Sequence, residues 1–308
     1  MDIQSQLAAV PPQPVLRSTL ESTRAMYQRL PGVGLVRLSL RLAQRLWPAL
    51  AVRAADRLFL TPLPPKWLQR GAAGGQGWRI EHWPFEGASL AVHACWGPAE
   101  APVVLLVHGW GGHAGQMRPL AEALRERGLR PVIIEMPGHG HSGGMRTALP
   151  QFARAIEYVS HRLEQQGHGV RALVAHSLGA TAAAYAASRG LGIARLVLLA
   201  PAASPPAFTR LFAQVFGLSE RTRAAMQARI EAREAMLMPL FEATATGPRI
   251  GVQTLVVHDR QDAMNQFGDG QAYADAVPGA QLLATDGLGH PKILNDARVL
   301  EAVAQFAL

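Results

Sequence analysis

Residues 173–185, "LVAHSLGATAAAY", have the pattern of a strand that turns sharply into a helix around Ser177. Apolar or small residues lead into His176, and an alanine-rich segment follows Gly179. A serine at the tip of such a turn needs small residues two positions before and two positions after it, and Ala175 and Gly179 fill these positions. Two interpretations stay open at this point. Ser177 is a nucleophile held on a tight turn, or its hydroxyl caps the following helix.

Seven other short apolar runs accompany this strand, each bounded by Gly, Pro or Asp. They are 78–83, 90–96, 102–109, 130–136, 194–201, 252–259 and 280–287. Amphipathic stretches at 114–127 and 150–166 lie between them. Runs that are apolar on both faces and separated by helices are typical of a mostly parallel sheet covered on both sides. The first two runs have no helix between them, so they predict an antiparallel start to an eight-stranded sheet.

Two regions fall outside this alternation. Residues 1–70 predict an N-terminal helical extension, because the Leu, Val and Arg spacing at 35–59 suits one or two amphipathic helices. We expect these helices to pack on the main domain, 78–308; they are also candidates for weak association with a membrane surface. Residues 201–250 predict two or three helices without a strand, inserted as a small cap over the carboxyl ends of the strands.

The composition excludes several classes of protein. Of the 308 residues, 49% are hydrophobic and 17% charged, as in a globular enzyme with a full core. The net charge is +8, but the chain has no basic run of five or more residues, so we predict no nucleic-acid partner. Cys95 is the single cysteine, and the sequence shows neither a signal peptide nor a long apolar run. We therefore expect a cytoplasmic protein.

A glycine-rich turn follows the third apolar run, in "VVLLVHGWGGHAGQM" (103–117). Acyl transfer needs two backbone N–H groups that hold the oxyanion of the tetrahedral intermediate. The N–H groups of Trp110 and Leu178 are the predicted pair, the latter because it follows Ser177. The alternative is a turn without a functional role. A phosphate site is excluded because neither of the usual glycine-rich phosphate patterns occurs.

Five motifs in order now carry a family resemblance. They are "HGWGG" after the third run, "MPGHGHSGG" after the fourth, "AHSLG" after the fifth, "VVHDRQD" after the seventh and "GLGH" after the eighth. Over residues 78–308 the chain resembles the α/β-hydrolase superfamily, and within it bacterial lysophospholipase- and esterase-like enzymes. The resemblance implies the α/β-hydrolase fold, no cofactor, Ser177 as the nucleophile and His290, in the loop after the last strand, as the general base.

The acid that orients His290 has two candidates. The family places a carboxylate four residues after the histidine that ends the seventh strand, and Asp262 occupies this position. Asp259 lies close to the strand end, where Asp readily makes a local turn bond. We therefore expect Asp262 to be the acid. The following "AMNQF" departs from the family pattern, which leaves the path of this loop open.

Several loop histidines resemble a metal cluster: His108, His113, His139, His141 and His176. Metal ligands on loops usually have carboxylate or cysteine companions and further partners behind them, and we predict none beside these histidines. The sequence therefore predicts no metal. Glu135 replaces the aspartate usual before the "PGHGHSGG" loop, and we assign it no catalytic role.

These observations predict a serine hydrolase that cleaves an ester or related acyl bond of a small molecule through an acyl-enzyme. The alternatives are thioester, C–C or N-terminal peptide cleavage on the same fold, and a non-catalytic binding or scaffold protein. An apolar roof in the cap favours an uncharged acyl chain. Its predicted residues are Phe208, Leu211, Phe212, Val215, Phe216, Met236, Leu237 and Met238.

Overall fold

The sheet has eight strands in the order β1-β2-β4-β3-β5-β6-β7-β8. The structure is a computed structural model that describes residues 32–68, 77–95 and 100–308. The strands are β1 Trp78–Phe85, β2 Ala88–Cys95, β3 Val103–Val107, β4 Arg130–Glu135, β5 Val170–His176, β6 Arg195–Leu199, β7 Gln253–Asp259 and β8 Gln281–Thr285. β2 is antiparallel to β1 and β4, and all the other pairs are parallel. The predicted sheet and its antiparallel start are confirmed.

Helices cover both faces of the sheet. In chain order they are α1 Val33–Leu46, α2 Pro48–Phe59, α3 Arg118–Glu126, α4 Leu149–Gln165, α5 Leu178–Ser188, α6 Pro205–Phe216, α7 Glu220–Glu234, α8 Ala243–Thr246, α9 Phe267–Ala276, α10 Gly289–Lys292 and α11 Ala297–Ala307. One apolar core contains side chains of α4, α5 and α9. The other contains side chains of α3 and α11. The central strands are apolar on both faces because each face is covered.

The parallel strands bring their carboxyl ends to one edge of the sheet. All five residues of β3 are buried, so the chain leaves the core only at the glycine-rich turn that follows. β5, β7 and β8 end at the same edge. Loops after parallel strands therefore converge there, as is usual for ligand sites of open α/β sheets.

The N-terminal helices α1 and α2 pack against the helices between β6 and β7. The buried Asp56 of α2 accepts a hydrogen bond from Arg233 Nη1 of α7 at 3.1 Å. Gln44 Nε2 of α1 donates to the carbonyl oxygen of Gly217 at 3.1 Å, at the end of α6. Residues 1–31 and 69–76, which belong to the predicted extension and its boundary, lie outside the described residues.

Within the described ranges 32–68, 77–95 and 100–308, no helix combines the length and the apolar character needed to cross a bilayer.

Candidate active site

Ser177 lies at the tip of the turn between β5 and α5. Its φ of 56° and ψ of −125° place a non-glycine residue in a strained conformation. Such a tight turn requires glycine at position 179, because a Cβ on Gly179 would collide with the carbonyl oxygen of His108. A Cβ on Gly109 would come within 2.7 Å of the Ser177 Cβ. Ser177 is the N-cap residue of α5, but its side chain makes no capping hydrogen bond. The Ser177 hydroxyl therefore does not act as a helix cap.

His290 joins Ser177 to a carboxylate. Its Nε2 lies 3.0 Å from Ser177 Oγ, and its Nδ1 lies 2.7 Å from Asp262 Oδ2. With Nδ1–H donating to the carboxylate, Nε2 can accept the serine proton. The structure thus brings together the three residues predicted as nucleophile, base and acid. The side chain of His290 is 8% exposed, which keeps most of the water away from it.

The loop after β7 fixes the Asp262 carboxylate. Its Oδ1 accepts hydrogen bonds from the N–H groups of Met264 and Asn265, at 2.8 and 3.0 Å. The side-chain amide of Asn265 donates to the Ala200 carbonyl at 2.7 Å, so the unusual "AMNQF" sequence anchors its own loop. Burial raises the pKa of Asp262, but contacts with His258 and His290 lower it more. The net pKa lies well below its ordinary value, and Asp262 is ionised at neutral pH.

Asp259 has a different set of partners. Its carboxylate accepts hydrogen bonds from Thr285 Oγ1 at 2.8 Å, from the N–H of Leu288 at 3.0 Å and from the N–H of Gly289 at 2.9 Å. These bonds shape the loop that carries His290. The carboxylate that reaches the imidazole is that of Asp262.

A second histidine, His176, contacts His290. His176 is 6% exposed, and its Nε2–H donates to the His290 carbonyl oxygen at 3.2 Å. The two rings are tilted against each other with centroids 4.6 Å apart. Burial lowers the pKa of His176 well below its ordinary value, so the ring is neutral and does not repel a protonated His290. The sequence analysis missed this contact, because a histidine just before the serine resembles any strand-end residue.

Neutral histidines position the glycine-rich turn. His139 Nδ1–H donates to the Pro137 carbonyl at 3.0 Å, which leaves Nε2 to accept the N–H of Gly111 at 2.9 Å. Burial lowers the pKa of His139 to about 3, so this tautomer persists at neutral pH. Trp110 and Leu178 both line the cavity that contains Ser177. Leu178 is the first residue of α5, so its N–H has no partner within the helix.

A cavity of about 670 Å³ opens above Ser177 and His290. None of the described residues that line it is Asp, Glu, Lys or Arg, and most of them are apolar. The β6–β7 helices contribute Phe208, Leu211, Phe212, Val215, Phe216, Met236 and Met238, all predicted for the roof. Leu237 was wrongly included with them, since its side chain is 58% exposed. Leu237 precedes the 3₁₀ turn 238–241 and does not line the cavity.

The N-terminal chain forms the other part of this roof, which the sequence did not predict. Its lining residues are Leu58, Phe59, Leu60, Thr61, Leu63 and Pro64. They lie at the end of α2 and in the segment that follows. A contact between residues so far apart in the chain leaves no local pattern, so only the amphipathic character of 35–59 could have indicated packing of some kind.

One expectation about the histidines was wrong. We expected no carboxylate beside them, but Oε2 of the buried Glu135 lies 3.0 Å from His141 Nδ1 and 3.3 Å from Nε2 of His93. His93, in the middle of β2, was not among the histidines considered. Burial raises the pKa of Glu135, but the contacts with His93 and His141 outweigh it and hold the pKa well below its ordinary value.

Comparisons with known proteins agree with the fold. The sequence model of the family described as "Serine aminopeptidase, S33" matches residues 98–234. A pimeloyl-[acyl-carrier protein] methyl ester esterase of Xylella fastidiosa is 40% identical over 57 residues, which are 18% of this chain and 22% of the esterase. The chain thus matches only about a fifth of the length of this relative.

Solved structures match over much more of their length. Est1E of Butyrivibrio proteoclasticus, solved with ferulic acid bound, superposes with a TM-score of 0.60 at 20% identity, over 74% of this chain and 96% of Est1E. A membrane phospholipase A, described as a bacterial virulence factor, superposes with a TM-score of 0.56 at 19% identity, over 88% of this chain and 94% of that enzyme. The strand order and these matches show that the chain has the α/β-hydrolase fold.

Proposed function

We propose that this protein is a serine hydrolase that cleaves an ester of an uncharged acyl group through a covalent acyl-enzyme. One observation carries the proposal: Ser177 Oγ, both ring nitrogens of His290 and Asp262 Oδ2 form a continuous hydrogen-bonded chain, with contacts of 3.0 and 2.7 Å. A serine attacks a carbonyl only when a base takes its proton, and a base in this arrangement can do so.

The proposed reaction has two steps. Ser177 Oγ attacks the acyl carbon while His290 Nε2 takes the hydroxyl proton, and the N–H groups of Trp110 and Leu178 stabilise the oxyanion. The imidazolium, held by the ionised Asp262, then protonates the leaving alcohol. A water molecule, activated by the same Nε2, attacks the acyl-enzyme, and the released serine recovers its proton.

The cavity supports an uncharged acyl substrate. Its described lining lacks carboxylates, whereas cleavage at the N-terminal residue of a peptide requires a partner for the charged amine. The matched esterase is named for a methyl ester and one structural neighbour for a phospholipid, while another neighbour is a thioesterase domain. We therefore favour an ester over the peptide alternative, and an enzyme over a scaffold, while thioester and C–C cleavage stay as alternatives.

The length of the acyl chain should control the rate. We expect kcat/KM for p-nitrophenyl esters to rise from acetate to octanoate, by at most about fourfold per methylene, because each buried methylene contributes about 0.8 kcal/mol. Phe208→Ser, which makes the roof polar, should flatten this rise. Initial rates across the series of esters measure both effects.

Phe306 gives the matched control, because it is also partly exposed but does not line the cavity. Phe306→Ser should keep the rise of the wild type. A wild-type rate that is flat or falls with chain length would contradict the apolar substrate, while loss of the rise in both variants would show that the effect is not local.

We also propose that α1 holds the enzyme weakly at a membrane surface. Leu35, Leu38, Leu42 and Leu46 lie along one face of this helix and are 70%, 55%, 51% and 62% exposed. The exposed Arg45 lies near this stripe, as in helices that bind anionic lipid surfaces. A cytoplasmic location, proposed from the single Cys95, would present the stripe to an anionic leaflet. The match to the membrane phospholipase A covers 88% of the chain, which is more than residues 78–308 make up, so it includes part of the N-terminal region.

Sedimentation with vesicles tests this proposal. We expect the wild type to bind phosphatidylglycerol vesicles, and Leu38→Glu with Leu42→Glu to reduce the partition coefficient at least tenfold, since two leucines lose their apolar environment. Leu308→Glu, a substitution of an exposed leucine after α11, should bind like the wild type. A wild type that stays in the supernatant would contradict the proposal.

A further inference from the structure

A buried cluster of possible ligands lies outside the proposed active site. Glu135 ends β4, His93 lies on the neighbouring β2, and His141 follows in the loop after β4. Each residue offers one ligand atom, and the three atoms lie within 4.8 Å of one another. The candidate atoms include His93 Nε2, Glu135 Oε2 and His141 Nδ1. None of the three residues lines the cavity above Ser177. The proposed hydrolysis therefore leaves this cluster unexplained.

Of the three residues, His93 gives the strongest indication that a ligand binds here. Its side chain is wholly buried, yet neither ring nitrogen has a hydrogen-bond partner among the described residues. Nε2 lies 3.3 Å from the Glu135 carboxylate, but not in a direction that makes a hydrogen bond. A buried ring nitrogen without a partner destabilises the fold, and such groups are rare in folded proteins.

We propose that His93, Glu135 and His141 bind one zinc ion. Two imidazole nitrogens and a carboxylate oxygen are a common zinc donor set, with metal–ligand distances of about 2.0–2.2 Å. Ligand atoms in a tetrahedral zinc site then lie about 3.3 Å apart. Two of the three separations are close to this value, 3.0 Å for His141 to Glu135 and 3.3 Å for His93 to Glu135, and all three ligand atoms lie within 4.8 Å of one another. The side chain of His141 is 23% exposed, which gives the ion a path from solvent and leaves the fourth position for water.

The zinc ion would stabilise the loops around Glu135 and would take no part in the hydrolysis. The Glu135 carboxylate also accepts the N–H groups of Ala114 and His141, so it already joins two loops to the end of β4. The loop that contains His141 also contains His139, which accepts the N–H of Gly111 in the turn beside Ser177. Zinc bound to Glu135 would therefore stabilise the loop that contains His139, against which the glycine-rich turn packs.

The test uses the full chain without a histidine tag, stripped with a chelator and titrated with Zn²⁺ alone in a calorimeter. We expect one Zn²⁺ per chain, with a melting temperature that rises by roughly 5 °C at a hundredfold excess over Kd. Co²⁺ in place of zinc should give the visible absorption of a tetrahedral site. Turnover of p-nitrophenyl butyrate by the stripped enzyme below its melting temperature should change less than twofold.

Variants show whether these residues hold the ion. His141→Ala and His93→Gln should each weaken Zn²⁺ binding more than tenfold. His141 is partly exposed, so its variant keeps the test valid if the core substitution at His93 prevents folding. His161→Ala removes a histidine that is 65% exposed on α4, and should bind like the wild type. A wild type without stoichiometric Zn²⁺ would overturn the proposal. Unchanged binding by His141→Ala would overturn it as well.

Discussion

Ser177→Ala should lower kcat/KM for p-nitrophenyl butyrate by at least about a thousandfold. The substitution removes the atom proposed to form the acyl-enzyme, and His290 Nε2, 3.0 Å away, loses the proton that it would accept. Removal of a residue from a Ser-His-Asp arrangement typically leaves only the rate due to the oxyanion site and binding. The melting temperature should change little, since the Ser177 hydroxyl does not cap α5.

Ser188, at the other end of α5, gives the matched control. Its hydroxyl donates to the Tyr185 carbonyl at 2.7 Å within the last turn of the helix. Ser188→Ala should keep kcat/KM within about twofold of the wild type, because its effect is confined to that turn. If folded Ser177→Ala kept more than a tenth of the wild-type rate, another group would be the nucleophile.

Asp262→Asn should lower kcat by about 10³–10⁴-fold with little change in KM. An asparagine amide placed against His290 Nδ1 favours the tautomer with its proton on Nε2, which cannot accept the serine proton. The Asp262 carboxylate is held 2.7 Å from Nδ1, and its low pKa keeps it charged to stabilise the imidazolium. Substrate binding should persist, because Asp262 does not line the cavity. Steady-state kinetics at neutral pH separates kcat from KM.

Asp259→Asn is the informative comparison. This residue shapes the loop before His290 through Thr285, Leu288 and Gly289, so its loss should lower the melting temperature. The folded fraction should keep kcat within about tenfold of the wild type. The reverse pattern, with the larger loss of kcat in Asp259→Asn, would assign the acid to the other carboxylate.

The sheet could be predicted from the sequence because its strands are buried on both faces. β3 has five buried apolar residues, and β5 has six buried residues of seven, interrupted only by the partly buried Arg171, so both leave a strong apolar signal. The lack of a helix between β1 and β2 was enough to predict their antiparallel pairing, which the structure confirms. Elements specified by local patterns of this kind are the ones that sequence analysis recovers.

The candidate site was predicted from the family resemblance, and the topology explains why the residues that it implies lie together. Ser177, Asp262 and His290 each follow a strand of one parallel sheet, and the ends of these strands meet at one edge. The topology therefore brings together residues that are 113 and 28 positions apart in the chain. The residues alone left Ser177 open between a helix cap and a nucleophile, and the absence of a capping hydrogen bond favours the second.

Long-range packing explains what the sequence did not predict. The N-terminal segment 58–64 lines the cavity because α2 packs on α7, where Asp56 meets Arg233. Nothing in the spacing of either helix indicates this partner. The contact of His93 with Glu135 depends on the register of β2 against β4, where Ala91 lies opposite Glu135. Strand order can be guessed from sequence, but register between distant strands cannot.

The central claim is that Ser177 forms a covalent intermediate. Labelling with a fluorophosphonate, followed by peptide mass spectrometry, tests it most directly, because a serine that a neighbouring base activates attacks the reagent far faster than an ordinary hydroxyl group does. We predict one label per chain, located on Ser177 and lost in both Ser177→Ala and His290→Ala. A folded, unlabelled wild type, or a label on any other residue, would contradict the account.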